Sequence, residues 1–187
     1  MRSTTGTLVD ELRLHYRYLA PPILECGGKH MWAIRPVQDA DSEQLIALIG
    51  ACWSEFPGCI LDVNLEEQWL RAPATAYAAF GGAFWVADDE GVILGSSGFR
   101  PSLAPLAEIK GVYVAASARR HGLATVLVKQ AEQSALDAGY TEVQAWSDTR
   151  FTGAHHLYTR LGYARTGRSR DLHDISESTE IEFAKEL

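Results

Sequence analysis

The sequence is poor in cysteine, and it contains no long apolar run. Its three cysteines, Cys26, Cys52 and Cys59, are odd in number and widely spaced, which excludes a disulfide framework and a Cys-x-x-Cys metal knuckle. No apolar run in the sequence reaches the roughly 18 residues that a membrane-spanning helix needs. We therefore expect a protein of the reducing cytoplasm that binds no structural metal and inserts in no membrane.

Basic side chains are also fewer than acidic ones. The chain has 17 lysines and arginines against 24 aspartates and glutamates, a formal net charge of −7. Because binding to phosphate backbones depends on clustered positive charge, nucleic acid is not an expected partner.

The length of 187 residues predicts one domain with one sizeable core. The leucines of residues 1–30 are interrupted by charges, and Pro21-Pro22 and Gly27-Gly28 close the stretch. We expect residues 1–30 to be an N-terminal extension of unknown role and residues 31–187 to be the domain. The start lacks a signal-peptide pattern; translation could begin at Met31, or the extension could form a short docking helix.

The apolar pattern after residue 31 predicts alternating strands and helices. Strands are expected over Trp32 to Arg35, Ala83 to Ala87, Val92 to Phe99, Ala107 to Val114 and Glu142 to Trp146, with two more in the tail. Helices are expected over 42 to 54, after a capping box from Asn64 to Glu67, over Leu123 to Ala138 and over Thr152 to Leu161. This order predicts an α/β domain, a mixed sheet with helices on its faces.

One loop has the pattern of an anion site. The strand that ends at Val112-Tyr113-Val114 is followed by a basic turn with Gly122, and then by a helix. Backbone N–H groups at a helix N-terminus lack intrahelical partners and accept anions readily. Gly122 lets the backbone approach a ligand closely, and Arg119 and Arg120 add positive charge. The turn has neither the three glycines of a dinucleotide fingerprint nor the Lys-Ser/Thr pair of Walker A.

The turn Arg119-Arg120-His121-Gly122-Leu123-Ala124 resembles the Arg/Gln-x-x-Gly-x-Gly/Ala signature of the GNAT superfamily of N-acetyltransferases. The segment from Ala154 to Tyr163 is similar to the second cofactor motif of that family, and the order of elements from about residue 32 to 187 is also similar. The resemblance implies the GNAT acyltransferase fold. That fold is a mixed, mostly antiparallel sheet of about six or seven strands, with about four helices on its faces.

The resemblance also implies roles for individual residues. Acetyl-coenzyme A would be the co-substrate, and no metal would be needed. Backbone groups of Val112, Tyr113 and Val114 would bind the pantetheine arm. The pyrophosphate would be bound by Arg119, Arg120, His121, Gly122, Leu123, Ala124 and Thr125. Tyr158 would lie near the sulfur and protonate the leaving thiolate, and Glu108 would act as base.

The expected acceptor is a primary amine on a small molecule. An alkylamine with a pKa of about 10.4 is protonated at neutral pH, so its transfer reaction needs a base. The regions that bind the acceptor in the family hold aromatic and charged side chains, which could bind an ammonium group. They are Trp53, Phe56, Asp62, Glu66, Trp69, Arg168, Arg170, Asp171, His173 and Asp174. These residues do not distinguish an amino acid, a polyamine, an antibiotic or a protein lysine.

Several alternatives stay open at the level of sequence. The chain could be a non-catalytic acyl-coenzyme A sensor on the same fold, or it could use a longer acyl donor. Glu108 could be a solvated carboxylate, and Tyr158 a packing residue. Gly111 indicates a β-bulge or a close approach by another chain or a ligand. The late strands could pair in a homodimer, although the tail Thr179 to Leu187 would also serve as an edge strand.

Overall fold

The computed structural model describes residues 23–26 and 30–187, which form one eight-stranded sheet and four α-helices. The strands are β1 Ile23–Cys26, β2 His30–Pro36, β3 Ala83–Asp89, β4 Val92–Pro101, β5 Leu106–Val114, β6 Glu142–Asp148, β7 Ala164–Asp171 and β8 Thr179–Glu186. The helices are α1 Ser42–Trp53, α2 Pro73–Ala79, α3 Leu123–Asp137 and α4 Thr152–Arg160. What the sequence predicts for residues 1–22 and 27–29 lies outside the described residues.

The strand order is β1-β2-β3-β4-β5-β6-β8-β7. Only β5 and β6 run parallel, and they pair over just three residues, Leu106 to Glu108 against Glu142 to Gln144. Beyond Glu108 the two strands diverge. The predicted mixed, mostly antiparallel sheet is confirmed. The strand count exceeds the expected number because β1 lies within the stretch predicted as an extension.

The tail does not form an edge strand, which was one of the possibilities that the sequence left open. Strand β8 pairs with β6 on one side and β7 on the other, so β7 lies at the edge. The hairpin from β7 to β8 places its second strand inside the sheet. Central β8 accordingly buries Phe183, whereas the side chains of β7 are almost all exposed.

The alternation of strand residues divides the core between the two faces of the sheet. On β3, Phe84 and Val86 pack with α1 and α2, while Ala87 packs with α3 through Leu127. Successive side chains of a strand point to opposite faces, so α1 and α2 cover one face and α3 covers the other. Helices α3 and α4 share a further apolar cluster with β5, β6 and β8.

The predicted capping box at Asn64 is wrong. The Asp62 Oδ1 atom accepts the N–H groups of Asn64 and Leu65 at 2.8 and 2.9 Å, so Asp62 and not Asn64 caps the turn that forms here. Only a short 3₁₀ helix, Gln68–Arg71, follows, and α2 begins at Pro73, a residue well suited to a first helical position. Glu67 therefore belongs to a loop.

The bulge predicted at Gly111 is confirmed. Gly111 has a φ of +64°, and the register between β4 and β5 shifts beside it. A Cβ atom at this position would lie 2.5 Å from the ring of Phe84. Glycine is thus required both by the left-handed backbone and by a neighbouring core ring.

Candidate active site

Two clefts lie beside the C-terminal half of β5. The first has a volume of about 420 Å³ and extends along α3 and α4, and the second, of about 230 Å³, opens toward the loop between α1 and α2. Five residues line both clefts: Trp53, Val112, Tyr113, Phe151 and Ala154. The clefts therefore meet at Val112 and Tyr113.

The divergence of β5 from β6 creates the first cleft. Beyond Glu108, the edge of β5 that faces β6 has no strand partner among residues 23–26 and 30–187. Val112, Tyr113 and Val114 line the cleft along this edge. Backbone groups of an unpaired strand edge bind extended ligands by strand-like hydrogen bonds.

The turn before α3 presents backbone N–H groups to the same cleft. Arg120 and Gly122 both have left-handed backbones, with φ of +65° and +83°. Gly122 is the N-cap of α3, and no side chain caps this helix end. The first intrahelical bond to Gly122 comes from Val126 N, at 3.1 Å. The N–H groups of the first turn are thus available to an anion.

Arg119 has a role that the sequence did not indicate. Its guanidinium group makes two hydrogen bonds to the Glu55 carboxylate at 2.6 and 2.7 Å, and its Nε donates to the Val114 carbonyl at 2.9 Å. The hydrogen bonds to Glu55 raise the pKa of Arg119. The Glu55 carboxylate therefore compensates much of the charge of Arg119. The hydrogen bonds to Val114 and Glu55 link the turn to β5 and to the residues that follow α1.

Most of the predicted cofactor residues are brought together in the first cleft. Its lining includes Val112, Tyr113, Val114, Arg119, Arg120, Gly122, Leu123, Ala124 and Thr125. His121 is instead exposed, and its ring contacts Trp32 edge-on with centroids 6.4 Å apart. Tyr158 lines the second cleft.

The second cleft is acidic and aromatic. Its carboxylates are Glu66, Glu67, Asp148, Asp174 and Glu180, with Lys110 as its lysine. Its rings are Trp53, Trp69, Tyr77, Tyr113, Trp146, Phe151 and Tyr158. Carboxylates and aromatic faces together suit a cationic ligand.

Tyr158 is a buried phenol at this cleft. It is 4% exposed and packs against Tyr163 and Phe183, with ring centroids 5.3 and 5.5 Å away. Burial raises the pKa of Tyr158 well above its ordinary value, and Glu108 and Glu180 raise it further. Its hydroxyl is therefore protonated at neutral pH and able to donate a proton or a hydrogen bond.

Glu108 is not among the lining residues of either cleft. Its Oε1 atom accepts from Lys110 Nζ at 3.1 Å and lies 3.9 Å from a nitrogen of Arg170. The carboxylate is thus held between two cations at the margin of the second cleft. Its charge nevertheless acts on Tyr158, whose pKa it raises, so the role of Glu108 as base stays a prediction.

Glu67 lines the second cleft, and sequence reasoning missed it. Burial raises its pKa, although a hydrogen bond from Trp69 and the charges of Lys110 and Arg100 oppose the shift. The sequence predicts Glu67 as part of a helix cap, and this prediction does not place its side chain in a cleft. The adjacent acidic and aromatic residues Glu66, Glu67 and Trp69 were the available signal.

The residues predicted to contact the acceptor divide into two groups. Trp53, Glu66, Trp69 and Asp174 line the second cleft. The other six do not line it. Phe56 lines the first cleft, Asp62 accepts hydrogen bonds within a turn, and His173 is exposed. Arg168 and Arg170 form ion pairs with Glu182 and Glu180, and Asp171 accepts a hydrogen bond from Thr179.

Two kinds of feature are absent from the part of the chain that the structure describes. No helix there is long and apolar enough to cross a membrane. No group of three or more His, Cys, Asp or Glu side chains in that part of the chain is arranged to hold a metal ion. His155 packs on Phe183, and one of its ring nitrogens lies 3.0 Å from the Asp148 carbonyl oxygen.

Known proteins share this fold and part of this sequence. Human N-acetyltransferase 8 is 35% identical over 122 residues, which are 63% of this chain and 52% of the relative. The uncharacterized N-acetyltransferase YjgM of Escherichia coli is 28% identical over 107 residues, 56% of this chain and 61% of the relative. The chain spans about half the length of the curated relatives it matches.

Solved structures support the fold. The yncA protein of Salmonella typhimurium, solved with its cofactor acetyl-CoA, has a TM-score of 0.68 at 18% identity and covers 84% of this chain and 95% of its own. An acetyltransferase from Streptococcus agalactiae has a TM-score of 0.72 at 18% identity, with 83% and 98% covered. The model of the acetyltransferase (GNAT) family matches residues 43–163. The chain therefore belongs to the acetyltransferase (GNAT) family.

Proposed function

We propose that this enzyme transfers the acetyl group of acetyl-coenzyme A to a primary amine of a small molecule, by direct attack while both substrates are bound. The observation that carries the proposal is the meeting of the two clefts at Val112 and Tyr113. One cleft has the groups of an anion and strand-edge site, and the other has those of a cation site. A common wall allows a thioester carbon and an amine nitrogen to come together.

The residues of the first cleft fit acetyl-coenzyme A. The uncapped N-terminus of α3 and the left-handed turn at Arg120 and Gly122 would hold the pyrophosphate. The open edge of β5 at Val112 to Val114 would hold the pantetheine arm. When bound, the cofactor supplies an activated thioester for attack.

The residues around the meeting point have suitable chemistry. A backbone N–H near Val112 would stabilise the charge that develops on the carbonyl oxygen. Tyr158, whose phenol is protonated at neutral pH, would give a proton to the departing thiolate. Tyr113 fixes the wall between the clefts, since its hydroxyl accepts a 2.9 Å hydrogen bond from Trp53 Nε1.

The form of the second cleft supports a small acceptor. With a volume of about 230 Å³, it suits a small ammonium compound better than an extended segment of protein. Two loops that contribute to its lining are hydrogen-bonded to each other: Ile60 N donates to Ser176 Oγ at 2.9 Å, and Ile175 N donates to Glu66 Oε1 at 2.9 Å.

A panel of acetyl-coenzyme A with spermidine, lysine, 2-phenylethylamine, an aminoglycoside and a lysine peptide tests the proposal. Thiol release and product mass should identify turnover of one or more small amines, with little turnover of the peptide. Absence of thiol release with every amine, despite coenzyme A binding by calorimetry, would contradict the proposed reaction and favour a sensor. Longer acyl-coenzyme A donors in parallel would reveal another donor preference.

A further inference from the structure

The loop between α1 and α2 holds a glutamate in a fixed position beside the reaction site. Glu67 is half-buried, and its main chain is anchored at both ends. Its N–H donates to Asp62 O at 2.8 Å, and its carbonyl accepts from Leu70 N at 3.0 Å. Its side chain shares the second cleft with Val112 and Tyr113, the residues at which the two clefts meet.

Trp69 holds the Glu67 carboxylate by one oxygen. The indole Nε1 of Trp69 donates to Glu67 Oε2, and the indole is itself fixed against Tyr77 and Phe84, with ring centroids 5.3 and 5.2 Å away. The other oxygen, Oε1, accepts no hydrogen bond from the residues that the structure describes. A carboxylate held at one oxygen and open at the other is arranged to accept a proton from a ligand.

The other carboxylates of the second cleft are engaged elsewhere. Glu66 accepts from Ile175 N, Asp174 accepts from Ser178 N, Asp148 pairs with Arg150, and Glu180 pairs with Arg170. Glu108, at the margin, is held by Lys110 and Arg170. These partners are cations or backbone N–H groups that position each carboxylate, whereas Glu67 is positioned by a single neutral indole.

We infer that Glu67 is the base of the reaction and that its carboxylate takes a proton from the ammonium group of the acceptor. This inference rests on the proposed function. An N–H bond breaks as an O–H bond forms at Glu67, and the neutral nitrogen then bonds to the thioester carbon while the C–S bond breaks. The sulfur gains a proton from the Tyr158 hydroxyl. The nitrogen then loses its second proton, which passes through water to the Tyr158 oxygen. The proton on Glu67 passes to solvent.

The surroundings of Glu67 shift its pKa in the direction that favours a base. Burial raises its pKa above that of an ordinary glutamate, and Glu66 in the same loop adds to the shift. Lys110 of β5 and Arg100 of β4 oppose it. The two nearby phenols, Tyr77 of α2 and Tyr113 of β5, are neutral because burial raises their pKa. A general base is most effective when its pKa approaches the working pH.

The first test uses two amines of nearly the same shape. 2-Phenylethylamine is protonated at pH 7, whereas its 2,2-difluoro analogue is a much weaker base. Glu67→Gln keeps an oxygen that can accept the hydrogen bond from Trp69. It should lower kcat for 2-phenylethylamine by about 100-fold, because this ammonium group must lose a proton, and should lower kcat for the difluoro analogue much less. For 2-phenylethylamine, kcat of the variant should keep rising with pH, where wild-type kcat levels off.

Two further variants make this result specific. Glu43→Gln removes the same charge from the exposed first turn of α1, about 15 Å along the helix axis from Trp53, and should leave kcat unchanged. Glu108→Gln tests the alternative base. The inference would be overturned if Glu67→Gln lowered kcat equally for both amines. It would also be overturned if Glu108→Gln, and not Glu67→Gln, lowered kcat more for 2-phenylethylamine than for the difluoro analogue.

A second measurement does not depend on turnover. Because the folded-state pKa of Glu67 is raised above its unfolded value of about 4.3, wild type should lose stability relative to Glu67→Gln as pH rises through the folded-state pKa. The difference in Tm between variant and wild type should therefore grow from pH 4 to 8. If wild type acetylates no amine, the proposed function fails; if the Tm difference is flat across this range, the inference about Glu67 fails.

Discussion

The two clefts differ in what they are made of. The first is built mainly from backbone: a strand edge opened by the divergence of β5 and β6, and an uncapped helix end after a left-handed turn. The second is built from side chains that five separate parts of the chain contribute. Backbone groups, as in the first cleft, bind features that many ligands share, such as a phosphate group. Side chains, as in the second cleft, can select one acceptor among many. This difference predicts that variants on the two sides will have separable effects.

The largest expected effect is on the chemistry between the clefts. Tyr158→Phe should lower kcat by about 100-fold because it removes the proton donor for the thiolate, while coenzyme A affinity measured by calorimetry stays near that of wild type. Tyr163→Phe, which alters a neighbouring ring of the same cluster, is the matched control and should retain kcat. If Tyr158→Phe retained wild-type kcat as well, Tyr158 would be a packing residue only.

The next effect should fall on the first cleft alone. Gly122→Val strains a left-handed backbone and crowds the anion site, so coenzyme A affinity should fall by about 10-fold or more, the equivalent of at least about 1.4 kcal/mol. Gly139→Val introduces the same strain at φ +93° after α3, where a Cβ meets open space. Both variants should lower Tm. A similar loss of coenzyme A affinity in both would mean that general destabilisation, and not the anion site, explains the result.

The smallest expected effect concerns Arg119. Lysine cannot form the two-nitrogen contact with Glu55 while also donating to Val114 O. Arg119→Lys should weaken coenzyme A binding by only about threefold, since the pair is largely exposed and such pairs contribute about 0.2–1 kcal/mol. Glu55→Gln should produce the same small loss, and the double variant should add little to it. Full additivity in this cycle would show that the two side chains act independently.

The first cleft could be predicted well because its information is local. Gly122, the arginines before it and the small residues after it are contiguous, and they follow a strand. The helix start at Leu123 and the bulge at Gly111 agree with the sequence because local backbone preferences decide them. The ion pair of Arg119 with Glu55 could not be predicted, since 64 residues separate the partners.

The second cleft was predicted less well because the loop before α2 was interpreted as a helix. Asp62 caps a single turn there, and only the short 3₁₀ helix Gln68–Arg71 follows before α2, so Glu67 lies in a loop. Glu108, the expected base, pairs with Lys110 and lies 3.9 Å from a nitrogen of Arg170, and the Arg170 contact depends on how β7 lies in the sheet. The contacts of Asp62 and Lys110 join residues only two or three apart, whereas the Arg170 contact and the second cleft bring distant segments together.

The sequence by itself determined the α/β domain, the order of its main elements and the anion-binding turn before α3, because apolar periodicity and glycine conformation act over a few residues. The tertiary structure decided that β8 lies inside the sheet, that two clefts meet at Val112 and Tyr113, and that Glu67 lines the second of them. Those outcomes depend on strand divergence and on contacts between distant segments, which only the packed chain brings together.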